Sequence, residues 1–141
     1  MALRIVLALV GAGIVFLGLD LGLGGMRTLG WQGSTDFFQV TDTARFRVQD
    51  SHARFIGGVW LGVGLLFVVG AAAPDRLRPI LIALCGLVVV GGLMRVGWGD
   101  LETVMSMKVL PSLVAELILS PALALWLWKT RQERPRPPIN P

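Results

Sequence analysis

The sequence predicts an all-α integral membrane protein, a four-helix bundle with antiparallel up-down topology and both termini inside. Three observations predict it. Of the 141 residues, 54% are hydrophobic and 16% are charged, where a soluble domain carries roughly a quarter charged residues. Four apolar runs are long enough to cross a bilayer. Basic residues and tryptophans gather at the run ends, as at membrane interfaces. The mean hydropathy of +0.70 agrees.

The first run, IVLALVGAGIVFLGL, follows Arg4 and continues through Asp20 to Gly25, predicting a helix over about 4–25. A basic residue before an apolar core also fits a secretory signal. The length of the run and the lack of a convincing small-x-small site beyond its core favour a retained span. Residues 27–52 read as a polar connection carrying Arg27, Asp36, Asp42, Arg45, Arg47 and Asp50. Phe37, Phe38, Val40, Phe46 and Val48 give it an apolar side that suits an element lying at the lipid surface.

The second span is predicted over 53–73 and is ended by Pro74 and the basic turn DRLRP. The third covers 80–98, a short turn covers 99–108, and the fourth span covers 109–128. These form one transmembrane domain, 1–128. The tail, 129–141, KTRQERPRPPINP, is basic, and its prolines bar a continuing helix, so it is predicted to be disordered. Arg4, Arg76, Arg78, Lys129, Arg131, Arg134 and Arg136 fall on one side of the four spans, which the positive-inside rule makes the cytoplasm. Trp126 and Trp128 then lie at the inner interface, and Trp31 and Trp98 near the outer one.

Composition narrows the function. The net charge of +4 suits anionic lipid heads and needs no nucleic-acid partner. One cysteine, Cys85, excludes an internal disulfide, and its apolar neighbours make it a small buried hydrophobe. One histidine, His52, excludes a multi-histidine metal site within the chain and reads as a surface residue. No metal and no cofactor are expected. Gly57, Gly58, Gly62 and Gly64 do not form a nucleotide loop, because no strand precedes them and no Lys-Ser/Thr follows.

Four charges remain inside the spans. At 1.5 Å per residue, Asp20 lies roughly 6 to 8 Å below the outer end of its helix. Arg54 opens the second span, Arg95 stands about one turn from the outer end of the third, and Glu116 about two turns into the fourth. All four fall in the outer half of the bilayer. They share helix faces with small residues: Arg54 with Gly58 and Gly62, Arg95 with Gly91, Glu116 with Ser112 and Ser120, and Asp20 with Gly13 and Gly24. Gly57 and Gly92 complete the glycine pairs expected at helix contacts. Pro121 should kink the fourth helix one turn beyond Glu116.

A charge at that depth needs a partner or an escape to the interface. For Arg95 the best partner is Glu116, on the next helix; Asp20 is the second, in company with Arg54. Both arginines are also near enough to the surface to snorkel. Asp20 also fits the end of a short first span. A structural ion pair and a ligand or proton site both remain open for the cluster.

The stretch HARFIGGVWLGVGLLFVVGA, the turn PDRLRPI, the segment GGLMRVGWGD and the late AELILSPALAL together resemble the domain-of-unknown-function 4345 family. The resemblance covers about residues 5–128. It implies a small multi-pass protein of the bacterial inner membrane, with motif positions Arg54, Gly57, Gly58, Gly91, Gly92, Arg95, Glu116 and Pro121. It implies no activity. Three functions compete. One is a non-enzymatic helix-packing protein in a homo-oligomer or with a membrane-protein partner. Another is a small transporter or binder of lipid or another anionic ligand, using Arg95, Arg54 and Glu116. The third is a membrane enzyme acting on a lipid or isoprenoid with Glu116 as acid or base; it lacks an obvious nucleophile and ranks last, and no catalytic residue is assigned.

Overall fold

The computed structural model describes residues 1–28 and 39–132. The expectations for Trp31, Asp36, Phe37 and Phe38 lie outside the described residues, as does most of the predicted disordered tail. The described chain is helical throughout its regular structure. Four helical stretches are long and apolar enough to cross a membrane: Ala2–Thr28, Thr43–Ala72, Pro74–Gly97 and Leu110–Thr130. The chain divides into two compact units, Met1–Pro74 and Asp75–Pro141.

In the first unit, α1 (Ala2–Gly24) passes into a 3-10 turn over Gly25–Thr28. Gly25 takes φ 65°, a left-handed conformation that glycine adopts without a Cβ penalty, and donates its N–H to the Leu21 carbonyl. The second helix, α2 (Thr43–Ala72), begins ten residues before the start expected from hydropathy. Asp42 caps it: its carboxylate accepts from the Ala44 and Arg45 amides, each at 3.0 Å. The first polar turns, TARFRVQDSH, are therefore helix and not connection. A 30-residue helix is about 45 Å long against a hydrocarbon core of about 30 Å, so this polar end projects beyond the apolar layer.

Glycine brings α1 and α2 together. A Cβ added at Gly11 would come within 2.8 Å of the Val68 amide, and one at Gly64 within 2.6 Å of the Val15 amide. Built on Gly18 or Gly57, a Cβ would collide with the backbone of Leu61 or Gly22 respectively. Contacts ascending α1 descend α2, so the two helices run in opposite directions. Gly57 and Gly64 carry this contact. Gly58 and Gly62, also expected in packing, do not: an added Cβ at either meets nothing within 4 Å. Each helical residue turns the face by about 100°, so the neighbour of a contact glycine is already off the contact.

The second unit starts on α3 (Pro74–Trp98). The basic turn DRLRP, expected to end the second span, forms the first turns of this helix, with Pro74 at the first position, where its missing N–H costs nothing. A short α4 (Leu101–Val104) follows, then α5 (Leu110–Val114), a π-turn over Ala115–Leu119, and α6 (Ser120–Gln132). Arg78 near the start of α3 meets Leu127 of α6, while Gly92 near its end faces Leu117 and Glu116. This last span therefore runs opposite to α3. Gly92 makes the close approach, with an added Cβ 2.9 Å from the Glu116 Cβ; Gly91, expected beside it, meets nothing within 4 Å.

Candidate functional site

Three arginines tie helix to helix. Arg54 stands one turn after Asp50 on α2, the spacing that brings two side chains together on a helix. Its Nε donates to Asp50 Oδ2 at 2.7 Å, and its Nη1 donates to the carbonyls of Gly22, at 3.3 Å, and Leu23. These carbonyls belong to the last turn of α1, where no intrahelical donor follows. Asp50 Oδ1 in turn accepts the Met26 amide at 2.8 Å. One ion pair on α2 thus closes the end of α1. Its carboxylate also occupies the space where a Cβ at Gly25 would stand.

Asp20, the acid expected near Arg54, is not its partner. The backbone carbonyl of Asp20 accepts from Thr28 Oγ1 at 2.8 Å, and its carboxylate Oδ2 is buried without a hydrogen-bond partner. The described contacts do not join Asp20, Arg54, Arg95 and Glu116 into one cluster: Arg54 pairs with Asp50 inside the first unit, and Arg95 with Glu116 inside the second.

Arg95 Nη2 lies 2.9 Å from Glu116 Oε1, with the Arg95 side chain 43% exposed and that of Glu116 15%. The second oxygen, Glu116 Oε2, is buried without a hydrogen-bond partner. Glu116 sits in the π-turn, and Pro121 explains why the helix widens there. Proline has no N–H for the carbonyl four residues back, and its ring crowds that carbonyl. The Ser120 amide instead bonds the Ala115 carbonyl five residues back, and the Ser120 hydroxyl adds a second bond to it at 2.9 Å. Ser112 likewise bonds its own backbone, at the Val109 carbonyl, 2.8 Å away. The two serines that share a ridge with Glu116 are therefore committed to the helix.

Arg78 makes a further contact that the sequence reading lacks, where it counts only as a cytoplasmic charge. It is 8% exposed. Its Nη1 donates to the Leu127 carbonyl at 2.8 Å and to Thr130 Oγ1 at 3.1 Å, and its Nη2 pairs with Asp75 Oδ1 at 2.5 Å. The Asp75–Arg78 spacing was the available signal, since residues three apart share a helix face.

Cys85 is buried and free, and His52 is exposed. Among the described residues, no group of three or more His, Cys, Asp or Glu stands where it could hold a metal ion.

Long apolar helices with charges held in helix-to-helix contacts define a multi-pass helical membrane protein. Residues 2–127 match the family described as "Domain of unknown function (DUF4345)", and the chain belongs to that family. No curated protein and no solved structure matches it.

Proposed function

We propose that the chain is a non-enzymatic protein of the inner membrane that acts by helix packing, within an assembly of its own copies or with another membrane protein. The observation that carries this reading is where the arginines are spent. Arg54 and Arg78 both end on backbone carbonyls of a neighbouring helix, and this use of charge builds architecture. In this reading the four spans pass up and down with both termini in the cytoplasm, and lipid covers the apolar surface. The opposed running of α1 against α2, and of α3 against the last span, supports it, as does the basic side of the sequence.

Native mass spectrometry of protein extracted gently from its own membrane tests it. The expected result is a fixed number of copies, or one protein partner at constant ratio. A bare single chain would overturn it.

A second reading is favoured by one specific contact. Arg95 is half-exposed and makes one described hydrogen bond, to a carboxylate whose other oxygen has no partner. Such a pair suits binding of an anionic ligand. The same spectra of wild type and Arg95→Ala bear on it: a small ligand that disappears with Arg95 supports this reading.

A further inference from the structure

The Arg95–Glu116 pair is asymmetric in a way the other two arginine contacts are not. Arg54 and Arg78 each place their guanidinium on three acceptors. Arg95 uses Nη2 alone and keeps 43% of its side chain exposed. An arginine near the interface can swing its guanidinium off a single partner and onto an anion, and its planar fork matches a phosphate. Glu116 has no such freedom. Its stem is short, its side chain is 15% exposed, and its Oε2 is already buried with no partner.

The cation found against Glu116 is Arg95. On α3, Gly92 faces its Cβ and Arg95 is the charged group that acts on it. On its own span, Ser112 and Ser120 donate to backbone carbonyls. If an anion takes Arg95, Glu116 is left as a buried carboxylate without a counter-charge, and such a group neutralises by taking a proton.

We propose that Arg95 and Glu116 form a proton-linked anion site, in which a phosphodiester monoanion displaces Glu116 from Arg95 and Glu116 takes up one proton from water. This rests on the second reading above. The balance is one anion and one proton bound together: the pair goes from zero to +1, and the bound monoanion returns the site to zero. The phosphodiester comes either from a phospholipid head group or from a free small molecule, and both present the same chemistry to Arg95.

The test uses the full chain in detergent and two probes that stay monoanionic from mildly acid to mildly alkaline pH: short-chain phosphatidylglycerol and diethyl phosphate. In wild type, affinity should rise as pH falls, approaching about tenfold per pH unit, the limit for one linked proton. In Glu116→Gln the amide is neutral and no longer competes for Arg95, so binding should be tighter than wild type at alkaline pH and flat with pH. Arg95→Ala should lose binding. If that variant fails to fold, the wild-type slope and its loss in Glu116→Gln still decide the matter.

Binding of phosphatidylglycerol alone identifies a lipid head group, and binding of both probes identifies the phosphodiester itself; each supports the site when the slope is present. Binding that is flat with pH in wild type, or equally sloped in Glu116→Gln, overturns the proton linkage and leaves the anion reading standing. No binding of either probe at any pH overturns both.

Discussion

The pair α1–α2 and the pair made by α3 with the last span meet the same demand by different means. In the first, glycines let two backbones approach until no Cβ fits between them, and the ion pair Asp50–Arg54 only closes the end. In the second, one glycine, Gly92, makes the close approach, and buried or half-buried charges stand near each end of the contact, Arg78 at one and Arg95–Glu116 at the other. Lipid gives no hydrophobic push between helices, so association rests on packing and polar contacts. The first pair relies chiefly on packing and the second on polar contacts. Shape holds in any charge state, whereas a charge contact can be exchanged, and the partly satisfied pair lies where charge does the holding.

The largest expected effect breaks the first pair. Gly57→Ala puts a Cβ into the backbone of Gly22 and should cost about 2 to 3 kcal/mol, in the range of overpacking. Gly58→Ala adds the same methyl where nothing stands within 4 Å and should be neutral or stabilising by up to about 1 kcal/mol through helix propensity. Thermal unfolding in detergent reads both. Equal melting of the two variants would mean that glycine shape does not hold α1 to α2.

Next comes the second pair. Arg78→Met keeps the stem and removes the bonds to Leu127 and Asp75. The loss should be about 2 kcal/mol, as for hydrogen bonds from a charged donor, and unchanged melting would strip Arg78 of its structural role. Glu116→Gln should cost less, about 1 kcal/mol, because the exposed side of Arg95 can turn to water once the pair is broken. A larger loss than for Arg78→Met would reverse the ranking of the two contacts.

Much of this is legible in the sequence, and what is not has physical causes. Hydropathy located the four spans, because burying backbone in lipid demands long apolar helices. It misplaced the start of α2, because hydropathy marks where the bilayer begins and a helix can run past it. Asp42 carried the missing signal as a helix cap. Hiding the polar turns in a connection also hid Asp50, and so Arg54 was offered Asp20 instead. The Arg95–Glu116 contact was readable from depth and sequence order, since both charges sit near the turn that joins their helices.

Neighbouring glycines were not separable by sequence. Gly57 and Gly58, or Gly91 and Gly92, differ only in which face of the helix they present, and composition is silent on that. Pro121 announced a disturbance, but not that a π-turn would absorb it with Ser120 bonding five residues back.

The smallest effect concerns a charge that bridges no helices, and it separates local capping from helix-to-helix contact. Asp100 caps the short α4: its Oδ2 accepts from the Thr103 amide and hydroxyl, each at 3.0 Å. Those two bonds favour the ionised form and hold the Asp100 carboxyl below the ordinary aspartate value, the backbone bond having the larger effect. A depressed folded value means that the cap's contribution is complete above the unfolded value and is lost as pH falls through the folded one. Thr103 amide and Asp100 carboxyl resonances should therefore titrate together, with a midpoint below that of a free aspartate. Because Asp100 caps only a single turn, the spans should keep their helicity through that titration. Loss of span helicity with the same midpoint would show that this turn, and not Arg78 or the Arg95–Glu116 pair, holds α3 to the last span.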